Sequence, residues 1–111
     1  MINTDIVKAL ADFLTQNKLT ISVAESCTGG SLASALTSLS GASIYFDCGF
    51  VAYSNKAKQD LLYVNKDTIT KYGAVSEEVA LEMVNGVIKN STSDFALAIT
   101  GIAGPSGGTT T

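Results

Sequence analysis

The feature that most restricts this chain is an alternation. Short apolar runs at about residues 20–24, 44–53 and 95–99 are separated by stretches whose apolar residues recur at helical spacing. Strands covered on both faces read as continuous apolar runs, and helices that cover a sheet read as amphipathic. The order therefore predicts an α/β fold, a three-layer α/β/α sandwich with a largely parallel sheet. A length of 111 residues with 46% hydrophobic content suits a single domain, expected over residues 1–111. No internal repeat or linker divides it.

The first helix is expected at about residues 4–16, capped by Asn3 or Thr4, with Ile6, Val7, Leu10, Ala11 and Leu14 on its buried face. A second, at about 29–39, is rich in Gly, Ser and Ala and suits close packing on a sheet. Asp47 and Gly49 interrupt the long apolar run, which predicts a bulge or a close backbone approach there. Two short helices follow, at about 56–64 after Ser54-Asn55, and at about 67–72 closed by Gly73. Ser76 caps a longer helix with Glu77 and Glu78 in its first turn and Val79, Ala80, Met83, Val84, Val87 and Ile88 turned inward. The 95–99 run reads as a buried strand, and residues 100–108 form a glycine-rich loop at its carboxyl end.

Charge and cysteine content narrow the function. The net charge is −3 and Lys and Arg form no run, which disfavours a nucleic-acid partner. No apolar run approaches membrane-spanning length, and the first residues lack the pattern of a secretory leader. Two cysteines, Cys27 and Cys48, cannot build a disulfide framework, so a reduced, cytoplasmic protein is expected. With no histidine and no CxxC pair, no metal site is expected. Neither a GxxxxGK[ST] phosphate loop nor a GxGxxG turn is present.

Ligands of parallel sheets bind beyond the carboxyl ends of the strands, where segments 25–30, 53–58 and 100–108 fall. The first, Glu25-Ser26-Cys27-Thr28-Gly29-Gly30, delivers a serine to a turn before a helix. Without histidine, an activated Ser26 needs a lysine, a tyrosine or a carboxylate as its base. Lys58 offers one, because the first turn of a helix disfavours an ammonium and burial would lower its pKa further. Ser26 would then attack a carbonyl carbon while Lys58 takes its proton. The Tyr53 hydroxyl would orient either group, and backbone N–H groups near Thr28 to Gly30 or in the 100–108 loop would hold the oxyanion. That arrangement should bring Ser26 Oγ within hydrogen-bond reach of Lys58 Nζ or Tyr53 Oη, more loosely when no ligand is bound.

Structural alternatives accompany each residue. Ser26 or Thr28 could serve only as a helix cap, Lys58 as a solvated surface lysine and Tyr53 as a core-edge aromatic. The 100–108 loop could be a plain turn. Cys27 is either a second nucleophile or a small buried residue, and Glu25 either orients Lys58 or caps a backbone N–H.

Four blocks together carry a resemblance: Ala24-Glu25-Ser26-Cys27-Thr28-Gly29-Gly30, then Gly49-Phe50-Val51-Ala52-Tyr53-Ser54-Asn55-Lys56-Ala57-Lys58, then Gly73-Ala74-Val75-Ser76, then Thr100-Gly101-Ile102-Ala103-Gly104-Pro105. In this order they are similar to the CinA C-terminal domain family, whose enzymatic members are nicotinamide-nucleotide amidases. The resemblance implies hydrolysis of the carboxamide of nicotinamide mononucleotide to nicotinate mononucleotide and ammonia. By position, Ser26 matches the nucleophile, Lys58 the general base and Tyr53 the assisting hydroxyl. Thr28, Gly29, Gly30, Thr100, Gly101 and Gly104 would hold the nucleotide or the oxyanion, and no cofactor is implied. Domains of this family continue past the glycine loop into further strands and a closing helix. The resemblance therefore also implies that the C-terminal strands and helix are absent from residues 1–111, leaving an open sheet edge that invites a homo-oligomer. Loss of activity, and a non-catalytic nucleotide-binding or oligomerisation module, are the alternative it leaves.

Overall fold

The computed structural model describes residues 3–102. Its elements are α1 (Thr4–Gln16), β1 (Ile21–Glu25), α2 (Ser31–Leu36), a 3-10 turn (Ala42–Ile44), β2 (Phe46–Val51), α3 (Asn55–Leu62), α4 (Lys66–Tyr72), α5 (Glu77–Asn90) and β3 (Phe95–Ile99). The strands form one parallel sheet in the order β2-β1-β3. Central β1 is buried at all five positions, and its two-residue alternation separates two cores. Ile21 and Val23 pack with residues of α1 and α2 such as Leu14 and Leu36. Ala24 packs on the opposite face with Leu62 of α3 and Val79 and Met83 of α5. Helices on both faces make the expected three-layer α/β/α sandwich. Each fully buried aliphatic side chain of this kind stabilises the fold by roughly 1.5–3 kcal/mol.

Local capping follows the sequence closely. The Asn3 carboxamide oxygen accepts the Asp5 N–H at 2.8 Å, Ser54 Oγ accepts the Ala57 N–H at 3.0 Å, and Ser76 Oγ accepts the Val79 N–H at 3.2 Å. The register between β1 and β2 shifts between Ile21 and Val23, opposite Phe46 and Gly49, which is the bulge expected near Asp47. Ser22, buried in β1, accepts the Cys48 N–H of that bulge at 3.2 Å and shares a 2.6 Å hydrogen bond with Ser93. A Cβ on Gly49 would stand 3.3 Å from Val23 and 3.4 Å from Ala33, so the close approach is also present.

Several expectations are corrected. The second helix covers Ser31–Leu36 rather than 29–39, because Gly29 and Gly30 take left-handed backbone. At its other end the Thr37 and Ser38 hydroxyls donate to the Ala33 and Ala35 carbonyls and stop the helix. Ile6 and Ile88 face solvent, since the buried stripes run through Val7, Ala11 and Leu14 in α1 and through Val79, Met83, Gly86 and Val87 in α5. β2 and β3 are outer strands among the described residues and only half-covered, with Phe95 and Leu97 of β3 exposed. Among the described strands, continuous burial belongs to β1 alone.

Candidate active site

All three strands end on one cleft. Beyond β1, the Ser26 N–H donates to the Ile99 carbonyl at 3.0 Å, and beyond β2 the Ala52 N–H donates to the Glu25 carbonyl at 2.9 Å. These bonds carry the sheet one step further and align Ser26, Tyr53 and Thr100 at its carboxyl rim. The cleft, about 280 Å³, is lined by Ser26, Cys27, Tyr53, Lys58, Thr100 and Gly101, with Ala74 and Val75 on its far wall.

Lys58 is the most unusual side chain in the molecule. It lies in the first turn of α3, set by the Ser54 cap, yet is only 2% exposed. Its Nζ donates to the Tyr53 carbonyl at 3.1 Å, and Ser26 Oγ donates to the same oxygen at 3.4 Å. Burial pushes the Lys58 ammonium below the ordinary lysine range, while the neighbouring Cys27 sulfur works against that shift. The reading of Lys58 as a solvated lysine is thereby overturned. The expected bond from Ser26 Oγ to Lys58 Nζ or to the Tyr53 hydroxyl is not made; Ser26 and Lys58 instead share one acceptor. Tyr53 supplies that acceptor from its backbone, and the residue as a whole is 65% exposed.

Glu25 settles the role of the helix start. At 1% exposure its carboxylate accepts the Thr28 hydroxyl at 2.6 Å, the Leu32 N–H at 2.8 Å and the Ala33 N–H at 2.9 Å. Burial alone would raise this carboxyl, but the hydrogen bonds from Thr28, Ala33, Leu32 and Gly30 outweigh it and hold its pKa below the ordinary value. Glu25 therefore caps α2 and does not orient Lys58. Gly30, at the N-cap position itself, has no side chain to offer, so neither Ser26 nor Thr28 fills that role. The α2 amides expected to hold an anion already face a carboxylate.

The expected binding residues divide between two places. Thr28, Gly29 and Gly30 line a separate groove of about 820 Å³ beside α2, along with Ser34 and Ile99. Thr100 and Gly101 line the Ser26 cleft, and Gly104 lies outside the described residues. Thr100 Oγ1 donates to the Ala74 carbonyl at 2.8 Å, pinning the wall of the cleft to the end of β3. A Cβ on Gly101 would sit 3.1 Å from Cys27 Sγ, so that loop packs directly on the thiol. Ala74 and the Tyr53 carbonyl escaped sequence reasoning. Backbone acceptors carry no residue signature, and only the 73–76 block hinted at the wall. Among the described residues no three His, Cys, Asp or Glu side chains gather into a metal site.

Fold and site together define a three-layer α/β/α domain with a serine and a buried lysine at the carboxyl rim of a parallel sheet. The model of the CinA C-terminal domain matches residues 3–111, and the chain belongs to that family. It is 50% identical over 107 residues to a CinA-like protein of Endomicrobium trichonymphae, and 55% identical over 102 residues to one of Chlorobium chlorochromatii. These alignments cover 96% and 92% of the chain but 25% and 24% of the relatives, so the chain spans about a quarter of their length. Among solved structures it resembles the competence/damage inducible protein CihA from Agrobacterium tumefaciens, with TM-score 0.93 and 46% identity over 96% of this chain and 65% of that one. A CinA superfamily protein from Escherichia coli gives TM-score 0.90 and 40% identity, covering 97% of this chain and 65% of that one.

Proposed function

We propose that this chain carries the cleft of a serine–lysine amidase whose substrate is the carboxamide of nicotinamide mononucleotide. The observation that supports this most is the meeting of the Ser26 hydroxyl and the buried Lys58 ammonium on the Tyr53 carbonyl oxygen. A lysine depressed by burial reaches its neutral, basic form nearer neutrality than a solvated one. Rotation of the Ser26 side chain off the Tyr53 carbonyl would present its proton to Lys58 Nζ as Oγ attacks the amide carbon. Lys58 would then give that proton to the amide nitrogen, which leaves as ammonia; water would attack the acyl-serine with Lys58 accepting its proton and returning it to Ser26 Oγ as the acid departs. The Gly30, Leu32 and Ala33 amides are directed at Glu25, so the oxyanion is assigned to the Gly101 side of the cleft. Tyr53 is exposed, so its hydroxyl is free to contact a bound substrate if the ring turns toward the cleft.

Ammonia release from nicotinamide mononucleotide tests the reading. Turnover by the wild-type chain, lost in Ser26→Ala and Lys58→Met variants that keep their circular dichroism, is the expected result. Full turnover by a folded Lys58→Met variant would refute the assignment of the base.

A further inference from the structure

Beside the groups that the proposed reaction uses, the cleft contains one carboxamide. Asn55 lines it together with Ser26, Tyr53 and Lys58. It opens α3 three residues before Lys58, a spacing that puts both on one face of the helix. Asparagine and serine both suit a cap position, but Ser54 fills this one by accepting the Ala57 N–H at 3.0 Å. The Asn55 side chain is thereby left out of the capping. Its backbone carbonyl accepts Gln59 Nε2 at 3.2 Å, while its carboxamide has no partner among the described residues. Nearby polar groups are committed: Ser26 and Lys58 donate to the Tyr53 carbonyl, and Thr100 donates to that of Ala74. The far wall, Ala74 and Val75, and the Gly101–Ile102 segment have no polar side chain. No carboxylate lines the cleft among the described residues, so Asn55 Oδ1 is its one side-chain carbonyl acceptor.

A primary carboxamide brings two N–H donors as well as a carbonyl oxygen. The substrate oxygen is assigned to the Gly101 side, so its NH₂ group needs an acceptor elsewhere in the cleft. We infer that Asn55 is a specificity-determining residue whose Oδ1 accepts an N–H of the substrate carboxamide, selecting amides over esters of the same shape. The inference rests on the amidase reading of this cleft. An ester offers Oδ1 no hydrogen, and its alkoxy oxygen would face a carbonyl oxygen or exchange places with the weaker donor arrangement of a flipped Asn55. The same contact holds the leaving nitrogen while Lys58 delivers its proton.

The test uses the full chain carrying Ser26→Ala, which lacks the nucleophile and leaves its ligands intact. Calorimetric titration compares nicotinamide mononucleotide with the methyl ester of nicotinate mononucleotide, in which OCH₃ replaces NH₂. The amide is expected to bind about fivefold more tightly, as one partly exposed hydrogen bond gives. Adding Asn55→Ala should bring the ratio to about one, and Asn55→Asp, which keeps an acceptor oxygen, should retain the preference. A merely structural role for Asn55 would weaken both ligands together and leave the ratio unchanged. Equal binding of the two ligands, binding of neither, or a preference that survives Asn55→Ala overturns the inference, and the first two outcomes need no variant at position 55. Asn55 is exposed at a helix start, where alanine is well tolerated. Failure of the amidase reading looks different. A wild-type chain that releases no ammonia while the amide-over-ester preference holds loses the reaction and keeps the contact; turnover without that preference keeps the reaction and loses the contact.

Discussion

Replacing Glu25 tests whether the turn carrying Ser26 is held by one buried carboxylate. Glu25→Gln preserves shape and one acceptor oxygen but turns an NH₂ group toward a donor. Glu25→Ala leaves the Thr28 hydroxyl and the Leu32 and Ala33 amides without their acceptor. An unsatisfied buried donor costs about 1–3 kcal/mol, so Gln should cost about 2 kcal/mol and Ala about 4 kcal/mol once water entering the vacated space has offset part of the loss. Against a domain stability of about 5–15 kcal/mol this is a large fraction. Equilibrium urea unfolding followed by circular dichroism reads it directly. With a slope near ~1 kcal/mol/M the midpoint should fall by about 2 M for Gln and by about 4 M for Ala. Because the Glu25 carboxyl is held below 4.5 in the folded state, its contribution is complete above that pH and is lost as pH falls through the lowered value. The gap between wild type and Glu25→Gln should therefore narrow on acidification below that point. A midpoint shift under about 0.5 M for Glu25→Ala at neutral pH would refute the assigned role.

Other outcomes follow from the same structure. In Gly86→Ala the new Cβ would overlap the Leu62 carbonyl oxygen and stand 2.7 Å from Leu62 Cα, so α3 and α5 must separate, at a cost of about 3 kcal/mol in urea unfolding. Ser54→Ala removes the cap of α3 and should cost about 1 kcal/mol of stability, measured by the same method. The kcat/KM for ammonia release should rise with pH through an ionisation below the ordinary lysine value of 10.5, because burial of Lys58 favours its neutral form. A profile flat across the alkaline range would count against Lys58 as the base.

Three apolar runs among amphipathic stretches were enough to read the α/β class, Ser76 was legible as a cap, and Asn3 and Ser54 were each one of two adjacent candidates. Such features depend on residues within one helical turn or one strand, so they are written locally in the chain. That Ser26 and Lys58 reach one cleft was likewise legible, because each lies just beyond the carboxyl end of a strand of a parallel sheet. What lay beyond the sequence depends on contacts between distant segments. Strand order decides that β1 alone is buried throughout, and the packing of α5 across α3 decides that position 86 has room only for glycine. Lys58 looks like any lysine near a helix start until α3 turns it beneath Tyr53 and removes it from water. The same packing draws Glu25 onto the start of α2 and makes a carbonyl, which has no side-chain identity, the acceptor that Ser26 and Lys58 share. The sequence by itself determined the elements and the chemical groups at their ends; the burial that lowers the Lys58 pKa and the hydrogen bonds that lower that of Glu25 were decided only by the tertiary structure.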